Sequence, residues 1–545
     1  MLEEPLDPKK ISEEAQQEEN IRKGYNSYDF KWCGSSIPER ICFKCLMCES
    51  EGSLDAKNLI KNKTLPTFCP ACKRRALKIC DAGLWSEYLE LELWNYEFFN
   101  DQYELPFSVY SPNGINRTLA VRSKDFKCSL LSKIKNKTKL DEAVLFATGL
   151  ALRSEKKHRL EPRVVKYRDE IWVDLCDDAW QAVKINGDGW NTENHPPVLF
   201  RRYRHQKPMH VEEGTRKDLE DFMKLMNFQS DNEKLLYAGY LASLFVPDIE
   251  HVILMPVGSQ GSAKTTLTAA TRLLVDPSEL STLNMPAEEK DLPQIIMHHY
   301  IAAFDNCNYI KQEVSDLLCR ACTGAGFSKR ELWSDDDDVI YSMQRSIILN
   351  GIAPPTQASD LIDRTMMLTL ERIPECLRRE KNEIEDERDM LMSSVRGYLF
   401  SVLAKSQWKD RQVFYEKPRM AEFARIADAC AVAMGKTKGE YMEAYIKLWR
   451  ESSKNAVQAD PLASVLLDFL EGQDGWEGTG TELFRLLCTQ DGAPLKAHGF
   501  PKTANWMAEA MFGRLKPGLI QMGWKIERYH DGSKRIIKIT RLKSD

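Results

Sequence analysis

Apolar positions along this chain follow three rhythms. Between residues 252 and 370, short continuous apolar runs ("HVILMPV", "YIAAF", "RSIILN") alternate with stretches of helical period. That alternation predicts an α/β core built on a parallel sheet. Residues 216–245 lead into it with a helical pattern, and residues 375–455 follow with "EDERDMLMSSVRGYLFSVLAK" and "RMAEFARIADACAVAMG", also helical. From about 85 to 215 the chain shows short β-type runs such as "FSVYS", "VVKYR" and "EIWVDLC". Turn signals "SPNG" and "NGDGW" separate them, and one helical stretch covers roughly 140–156, which predicts an α+β domain. The last block has helical patterns and then "WKIERYHDGSKRIIKIT", two strands around an Asp-Gly turn. Helices that end in such a hairpin predict a winged helix. The fold class expected is therefore multidomain α/β. Its parts are an acidic lead-in and small module (1–84), an α+β domain (85–215), an α/β core with helical lid (216–455) and a winged-helix domain (456–545).

A chain of 545 residues is too long for one hydrophobic core, consistent with this division. With 43% hydrophobic and 29% charged residues it has the composition of a globular protein. No apolar run reaches the roughly 18–20 residues a bilayer requires. The start, "MLEEPLDPKKISEEAQQEEN", is acidic and polar rather than a signal peptide, so no membrane role and a cytoplasmic location are expected. A net charge of −5 excludes a uniformly basic nucleic-acid coat but leaves local patches. Arg514 to Asp545 is one, with nine Lys/Arg against three Asp/Glu. "RRYRHQKP" (201–208) reads either as a solvated linker or as a nucleic-acid contact.

The strongest chemical signal follows the first core strand. "HVILMPV" runs into Gly258, Ser259, Gln260, Gly261, Ser262, Ala263, Lys264, Thr265 and Thr266, and then into the helical "LTAATRLLVD". Strand, glycine-containing loop and Lys-Thr opening a helix form a phosphate loop. Backbone N–H groups and the helix N-terminus hold phosphate oxygens. Lys264 reaches the β- and γ-phosphates of ATP, and the Thr265 hydroxyl coordinates Mg2+. Ala263 stands where the usual pattern has glycine. Our reading places it already inside the helix, where positive φ is not required and a methyl is too small to obstruct phosphates. Asp305 ends the strand "YIAAF", where the metal's water shell needs an acceptor. Asn350 ends "RSIILN", placing an amide near the γ-phosphate, and Arg364 precedes the next β-type run. Asp, Asn and Arg in this order match a ring ATPase, in which an arginine from one subunit completes the neighbour's site.

The motifs "GSQGSAKTTL", "AAFDN", "TGAGFSKRELWSDDDDVIYSMQRSIILNG" and "DLIDRTMMLTLERIP" resemble those of replication ATPases of plasmids, prophages and other mobile elements. These are AAA+ proteins related to the minichromosome maintenance and superfamily 3 helicases, and the resemblance spans about 105–545. The Ala-Lys-Thr ending of the loop is itself similar to that of minichromosome maintenance proteins. The resemblance implies a hexameric ring that moves along single-stranded DNA using ATP. Asn306 follows Asp305 in the catalytic set where the wider pattern has glutamate, so Glu288 or Glu289 is the substitute base to consider.

Between Asp305 and Asn350, two β-prone arms flank an acidic tip and predict a hairpin. In the related helicases a hairpin here lines the channel, so Lys329, Arg330 and Trp333 are the expected DNA contacts, through charge and base stacking. The aspartates 335–338 sit awkwardly beside phosphate, and an ordinary surface hairpin is the competing reading.

Seven of the fifteen cysteines fall within 31–84. Cys45 and Cys48, with Cys69 and Cys72 after twenty intervening residues, form a C-x₂-C…C-x₂-C pattern that predicts structural Zn2+ in a ribbon. Cys42 competes with Cys48 as the partner of Cys45. The leading expectation is an ATP-dependent DNA helicase or translocase; the alternative is an ATP-switched initiator or loader ring without unwinding. Residues 1–215 contain no paired-carboxylate primase motif, which leaves a primase or polymerase as a partner.

Overall fold

The computed structural model describes residue 93 and residues 96–545, apart from 112–113, 132–133, 135, 308, 326, 331–337, 342–343, 353, 355–358, 407–417, 459, 491–493, 496–499, 533 and 543–545. Before residue 93 it describes short strands by their backbone alone, and the same holds for residues 327–330 and 338–341. The chain divides into two compact units, Met1–His158 and Arg159–Asp545, so the domain expected over 85–215 contains the boundary between them.

In the first unit, β1 (Tyr28–Asp29) pairs with β4 (Thr64–Leu65), and β2 (Arg40–Cys45) lies between β3 (Glu51–Asp55) and β5 (Leu77–Ile79). An antiparallel sheet of β6 (Tyr96–Asn100), β7 (Pro106–Tyr110) and β8 (Arg117–Ala120) follows, with helices α1 (Lys124–Leu131) and α2 (Lys137–Leu152). Asn136 opens α2 by accepting the Lys139 N–H at 3.1 Å, as an N-cap asparagine does. Leu140, Ala143, Val144 and Ala147 recur at helical spacing and bury one face of α2 with Tyr96, Phe126 and Leu130.

The second unit begins with an antiparallel sheet in the order β12 (Gly189–Glu193), β11 (Ala182–Asn186), β10 (Glu170–Asp174), β9 (Val164–Tyr167). Period-two alternation sorts its faces. Ile171, Val173, Val183 and Ile185 enter the large core, whereas Val165, Trp172 and Ala182 pack on Phe200. Helices α3 (Arg216–Lys224) and α4 (Asp231–Ser243) follow; a capping box between Ser230 and Glu233 starts α4.

The central sheet is parallel, in the order β14 (Ile301–Phe304), β17 (Ser346–Leu349), β13 (Ile253–Val257), β18 (Thr365–Thr369). Both faces are covered, which explains its nearly uninterrupted apolar strands. Ile301, Ala303, Leu254, Ile348, Met366 and Leu368 face one core, with α5 (Lys264–Val275) packed there through Leu267, Ala270 and Leu274. Ala302, Phe304, Ile253, Met255, Ile347 and Leu349 face the other. That second layer holds α6 (Leu292–His298), α7 (Gln312–Thr323) and α8 (Ser359–Ile362). Between α7 and β17 the chain forms the expected hairpin, β15 (Phe327–Arg330) against β16 (Asp338–Tyr341), with Lys329 opposite Val339 and Arg330 opposite Asp338.

Long helices α9 (Lys381–Lys405), α10 (Ala421–Ala433) and α11 (Glu440–Gln458) complete this region, as their pattern predicted. Arg396 of α9 is buried and donates to the carbonyls of Leu273, Leu274 and His210 at 2.8, 2.7 and 2.9 Å. A cation on the Leu273 and Leu274 carbonyls, among the last of α5, satisfies orphan acceptors and complements the helix dipole, fixing the helix that begins at Lys264. The C-terminal part runs α12 (Pro461–Leu470), β19 (Gly475–Thr479), α13 (Gly480–Cys488), α14 (Ala504–Ala510), α15 (Lys516–Gln521), β20 (Trp524–Asp531), β21 (Lys534–Arg541). Its strands order β19-β21-β20 around a separate core of Leu466, Leu483, Leu487, Met507, Leu519, Ile526 and Ile537. Among the described residues no helix is long and apolar enough to cross a membrane.

Candidate active site

The loop after β13 is shaped by what its backbone must do. Gly258 has φ +154°, and a Cβ there would lie 2.1 Å from the Leu370 carbonyl oxygen, so only glycine fits between β13 and β18. Gly261 turns the loop at φ +80°. Ala263 is the N-cap of α5 and has φ +67°, ψ +21°. Our sequence reading placed it in helical geometry; the structure corrects this. The position is left-handed, a conformation that costs a non-glycine residue roughly 1–2 kcal/mol. Strain of this kind is retained where the surroundings dictate the backbone, here the turn that brings loop N–H groups to the start of α5. Ala263→Gly is therefore expected to stabilise the protein by roughly 1 kcal/mol. A urea-unfolding midpoint unchanged or lowered by the substitution would count against this strain.

Within the loop the Lys264 ammonium donates to the carbonyls of Gly258 at 2.8 Å and Ser259 at 2.9 Å. Partial burial lowers its pKa, and the Asp305 charge opposes that shift. The Thr265 hydroxyl lies 3.2 and 3.3 Å from the two Asp305 carboxylate oxygens. Strand order explains the meeting. β17 lies between β13 and β14, so Asp305 and Asn350 leave the C-terminal ends of neighbouring strands beside the loop, the usual ligand position in a parallel sheet. A hydroxyl facing a carboxylate across a basic, N–H-rich loop is a donor set that fits Mg2+ and a polyphosphate.

Asn350 is 1% exposed, and both ends of its amide are engaged. Its Nδ2 donates to Thr268 Oγ1 at 2.9 Å, and its Oδ1 accepts the Asn306 backbone N–H at 3.0 Å. Asn350 thus holds the Asp305–Asn306 turn against α5. Asn306 has φ +56°, and its N–H also reaches Asp305 Oδ1 at 2.9 Å. Asparagine tolerates this left-handed conformation far better than glutamate does, which gives a backbone reason for the residue after Asp305. Cys307, next along, is not an anionic ligand: burial, aided by the Asp305 charge, pushes its thiol up to about 12. Glu288 lies on an exposed turn and pairs with Lys290 at 2.5 Å.

Arg364 is buried at 7% exposure; it donates to the Asp360 carbonyl at 2.7 Å and forms an ion pair with the Asp360 carboxylate. Asp360 is shared with Arg419 at 3.4 Å. The loop residues, Asp305, Asn306 and Asn350 thus converge, while Arg364 faces Asp360 of the same chain. Sequence reasoning missed Thr268, which lies one helical turn beyond Lys264 on α5, and Asn227. The latter's Nδ2 ties the loop to the chain after β18 through the carbonyls of Ser262 (3.4 Å) and Glu371 (2.6 Å); no spacing signal marks it.

Of the expected DNA contacts, Trp333 lies outside the described residues; Lys329 and Arg330 are on β15, where only the backbone is described. Of the expected zinc ligands, Cys48, Cys69 and Cys72 lie outside the described residues, and Cys45 is described only as the last residue of β2, opposite Leu77. Cys42 is on the same strand.

Comparison with known families bears on this geometry. Residues 219–447 match the model of the actinomycete integrative conjugative element replication protein, and residues 462–545 match that of the AICE RepA C-terminal domain. Both spans are similar to a replication protein. Among solved structures, the apo NrS-1 C-terminal region is 11% identical, covering 83% of this chain and 97% of that one, with a TM-score of 0.37. A ligand-bound JCV helicase is 13% identical, covering 43% of this chain and 66% of that one, with a TM-score of 0.23. A search of curated proteins finds no match.

Proposed function

We propose that this chain is an ATP-driven DNA helicase or translocase that acts in replication of a mobile element and works as a ring, a hexamer by resemblance. The observation that carries the proposal is the approach of Thr265 to Asp305 at 3.2 Å beside the phosphate loop. The similarity of residues 219–447 and 462–545 to a replication protein supports the biological setting.

Bound Mg2+ would neutralise charge on the β- and γ-phosphates and organise their water shell. Thr265 and Asp305 would hold it. Lys264 would exchange its two loop carbonyls for phosphate oxygens, and backbone N–H groups of residues 261–265 would take the rest of the charge. Asn350 would keep the Asp305–Asn306 turn in place. Asn306 presents no carboxylate, so the group that orients the attacking water comes from elsewhere.

The β15–β16 hairpin lies in the connection between Asp305 and Asn350. We assign it the DNA contact, through Lys329, Arg330 and Trp333. The C-terminal part, with helices preceding a hairpin that carries Lys525, Arg528, Lys534, Arg535 and Lys538, supports a winged helix on duplex DNA. Zn2+ on Cys45, Cys48, Cys69 and Cys72 completes the proposal as a structural ribbon.

One observation favours the second reading, an ATP-switched initiator ring without unwinding. The inward pairing of Arg364 with Asp360 must break before that arginine can serve a neighbour's site. Strand displacement on a forked duplex separates the two. Wild type should displace the strand, and Lys264→Ala should not. The Lys329→Ala/Arg330→Ala double variant should lose displacement while retaining ATP hydrolysis. Normal displacement by the double variant would remove the hairpin assignment, whereas ATP turnover by wild type without displacement would select the initiator.

A further inference from the structure

The chain that leaves β18 does not simply depart from the sheet; it is fastened to the phosphate loop. The Leu370 N–H donates to Val257 at 2.8 Å, and the Ile373 N–H donates to the Gly261 carbonyl at 3.1 Å. Asn227 clamps the same segment through Glu371. A single 3₁₀ turn, Glu375–Leu377, then folds the chain back, and Arg378 Nε donates to the Ile373 carbonyl at 3.3 Å. The result places the Arg378 guanidinium over the loop. Its Nη2 is 3.2 Å, and its Cζ 3.7 Å, from the point a Cβ on Gly261 would occupy.

Three arginines lie close together here, and they differ in how their charge is met. Arg372 pairs with Glu375 at 3.8 Å, and Arg379 pairs with Glu387 at 2.7 Å. Among the described residues Arg378 has no carboxylate within ion-pair distance, although acids are abundant on the segment: Glu371, Glu375, Glu380 and Glu383 all lie within seven residues of it. A guanidinium held by one backbone carbonyl against a glycine turn, with its remaining donors uncommitted to an acid, is arranged to receive an anion. The missing Cβ at Gly261 is what lets the guanidinium lie this close to the turn.

We propose that Arg378 is a second cation of the nucleotide site, acting in cis: it binds the phosphate chain of a nucleoside triphosphate across the Gly261 turn, together with Lys264. This rests on the reading of residues 258–265 as a phosphate loop. It gives the site an arginine from its own subunit, distinct from Arg364, which is turned toward Asp360. Because the segment between β18 and α9 carries it, Arg378 also links phosphate binding to the position of the long helix that starts at Lys381.

The test is equilibrium binding of a fluorescent ATP analogue in Mg2+ to the full chain, with ATP hydrolysis kinetics in parallel. Losing charge-assisted bonds to phosphate predicts that Arg378→Ala weakens binding by roughly 10- to 100-fold, with KM raised in proportion. Arg378→Lys should recover part of the loss, and Arg372→Ala, which removes an exposed and already paired arginine, should bind like wild type. Melting temperatures of all three should match wild type, since Arg378 is exposed. Wild-type affinity in Arg378→Ala would overturn the assignment. Equal losses in Arg378→Ala and Arg372→Ala would overturn it too, by showing a general effect of surface charge. Binding by wild type that Lys264→Ala leaves intact would instead overturn the phosphate-loop reading beneath it.

Discussion

Asp305→Asn is expected to lower the proposed Mg2+-dependent ATP hydrolysis by roughly 100- to 1,000-fold while leaving the fold intact. The substitution changes one atom's chemistry and almost no volume. Its amide oxygen still accepts the Asn306 N–H, which Asp305 Oδ1 accepts at 2.9 Å in the native protein. What is lost is the negative charge opposite the Thr265 hydroxyl, and an amide is a poor ligand for a hard dication. Phosphate release measured at saturating Mg2+ gives the rate, and an unchanged thermal melt shows that folding is not the cause. Hydrolysis within about threefold of wild type, against a loss of this size expected on electrostatic grounds, would remove Asp305 from the site.

Asp276→Asn should act in the opposite way, through stability. Asp276 is fully buried at the end of α5, and one carboxylate oxygen accepts from Arg163 Nε at 3.1 Å. The other accepts the backbone N–H groups of Tyr300 at 3.1 Å and Ile301 at 3.4 Å, at the start of β14. Arg163 is itself 0% exposed and also donates to the carbonyls of Asp174 and Pro277. One carboxylate thus joins the β9–β12 sheet, α5 and β14. Removing its charge leaves Arg163 buried without a counter-ion, a defect that costs about 3–5 kcal/mol. The pH dependence follows from the same atoms. Burial raises the Asp276 pKa, but Arg163, Arg272 and the Ile301 N–H outweigh it and hold the carboxyl below its ordinary value. A depressed folded-state pKa contributes stability above the unfolded carboxyl pKa of about 4, lost as pH falls through the lower folded value. Urea midpoints of wild type should therefore decline in acid, and this contribution should be missing from Asp276→Asn. A variant with the wild-type midpoint at neutral pH would refute the role.

Much of this arrangement was legible in the sequence because it rests on local patterns. The continuous apolar runs of the central strands, the polar residue ending each of two of them (Asp305, Asn350), the hairpin before β17 and the Asp-Gly turn at 531–532 all leave such marks. Geometry set by distant parts of the chain did not. Ala263 looks helical because it precedes a helical run; its left-handed backbone is imposed by a loop fastened to residues 370–373, more than a hundred positions away. Arg364 was correctly placed before a strand, yet its direction depends on Asp360, one helical turn earlier, and on Arg419. The division at His158 falls in the charged segment after α2, "RSEKKHRLEPR", inside the span read as one α+β domain, where only packing reveals which sheet a segment joins. Asn306 illustrates the reverse case. It breaks a familiar pattern in the sequence, and the positive φ supplies the reason.

The most direct measurement is ATP turnover by the purified full chain in Mg2+, with and without single-stranded DNA, using Asp305→Asn as the blank. A site built as described gives Mg2+-dependent turnover that rises when DNA is added and is absent from the variant. No turnover by wild type under either condition, or an equal rate in the variant, would contradict it.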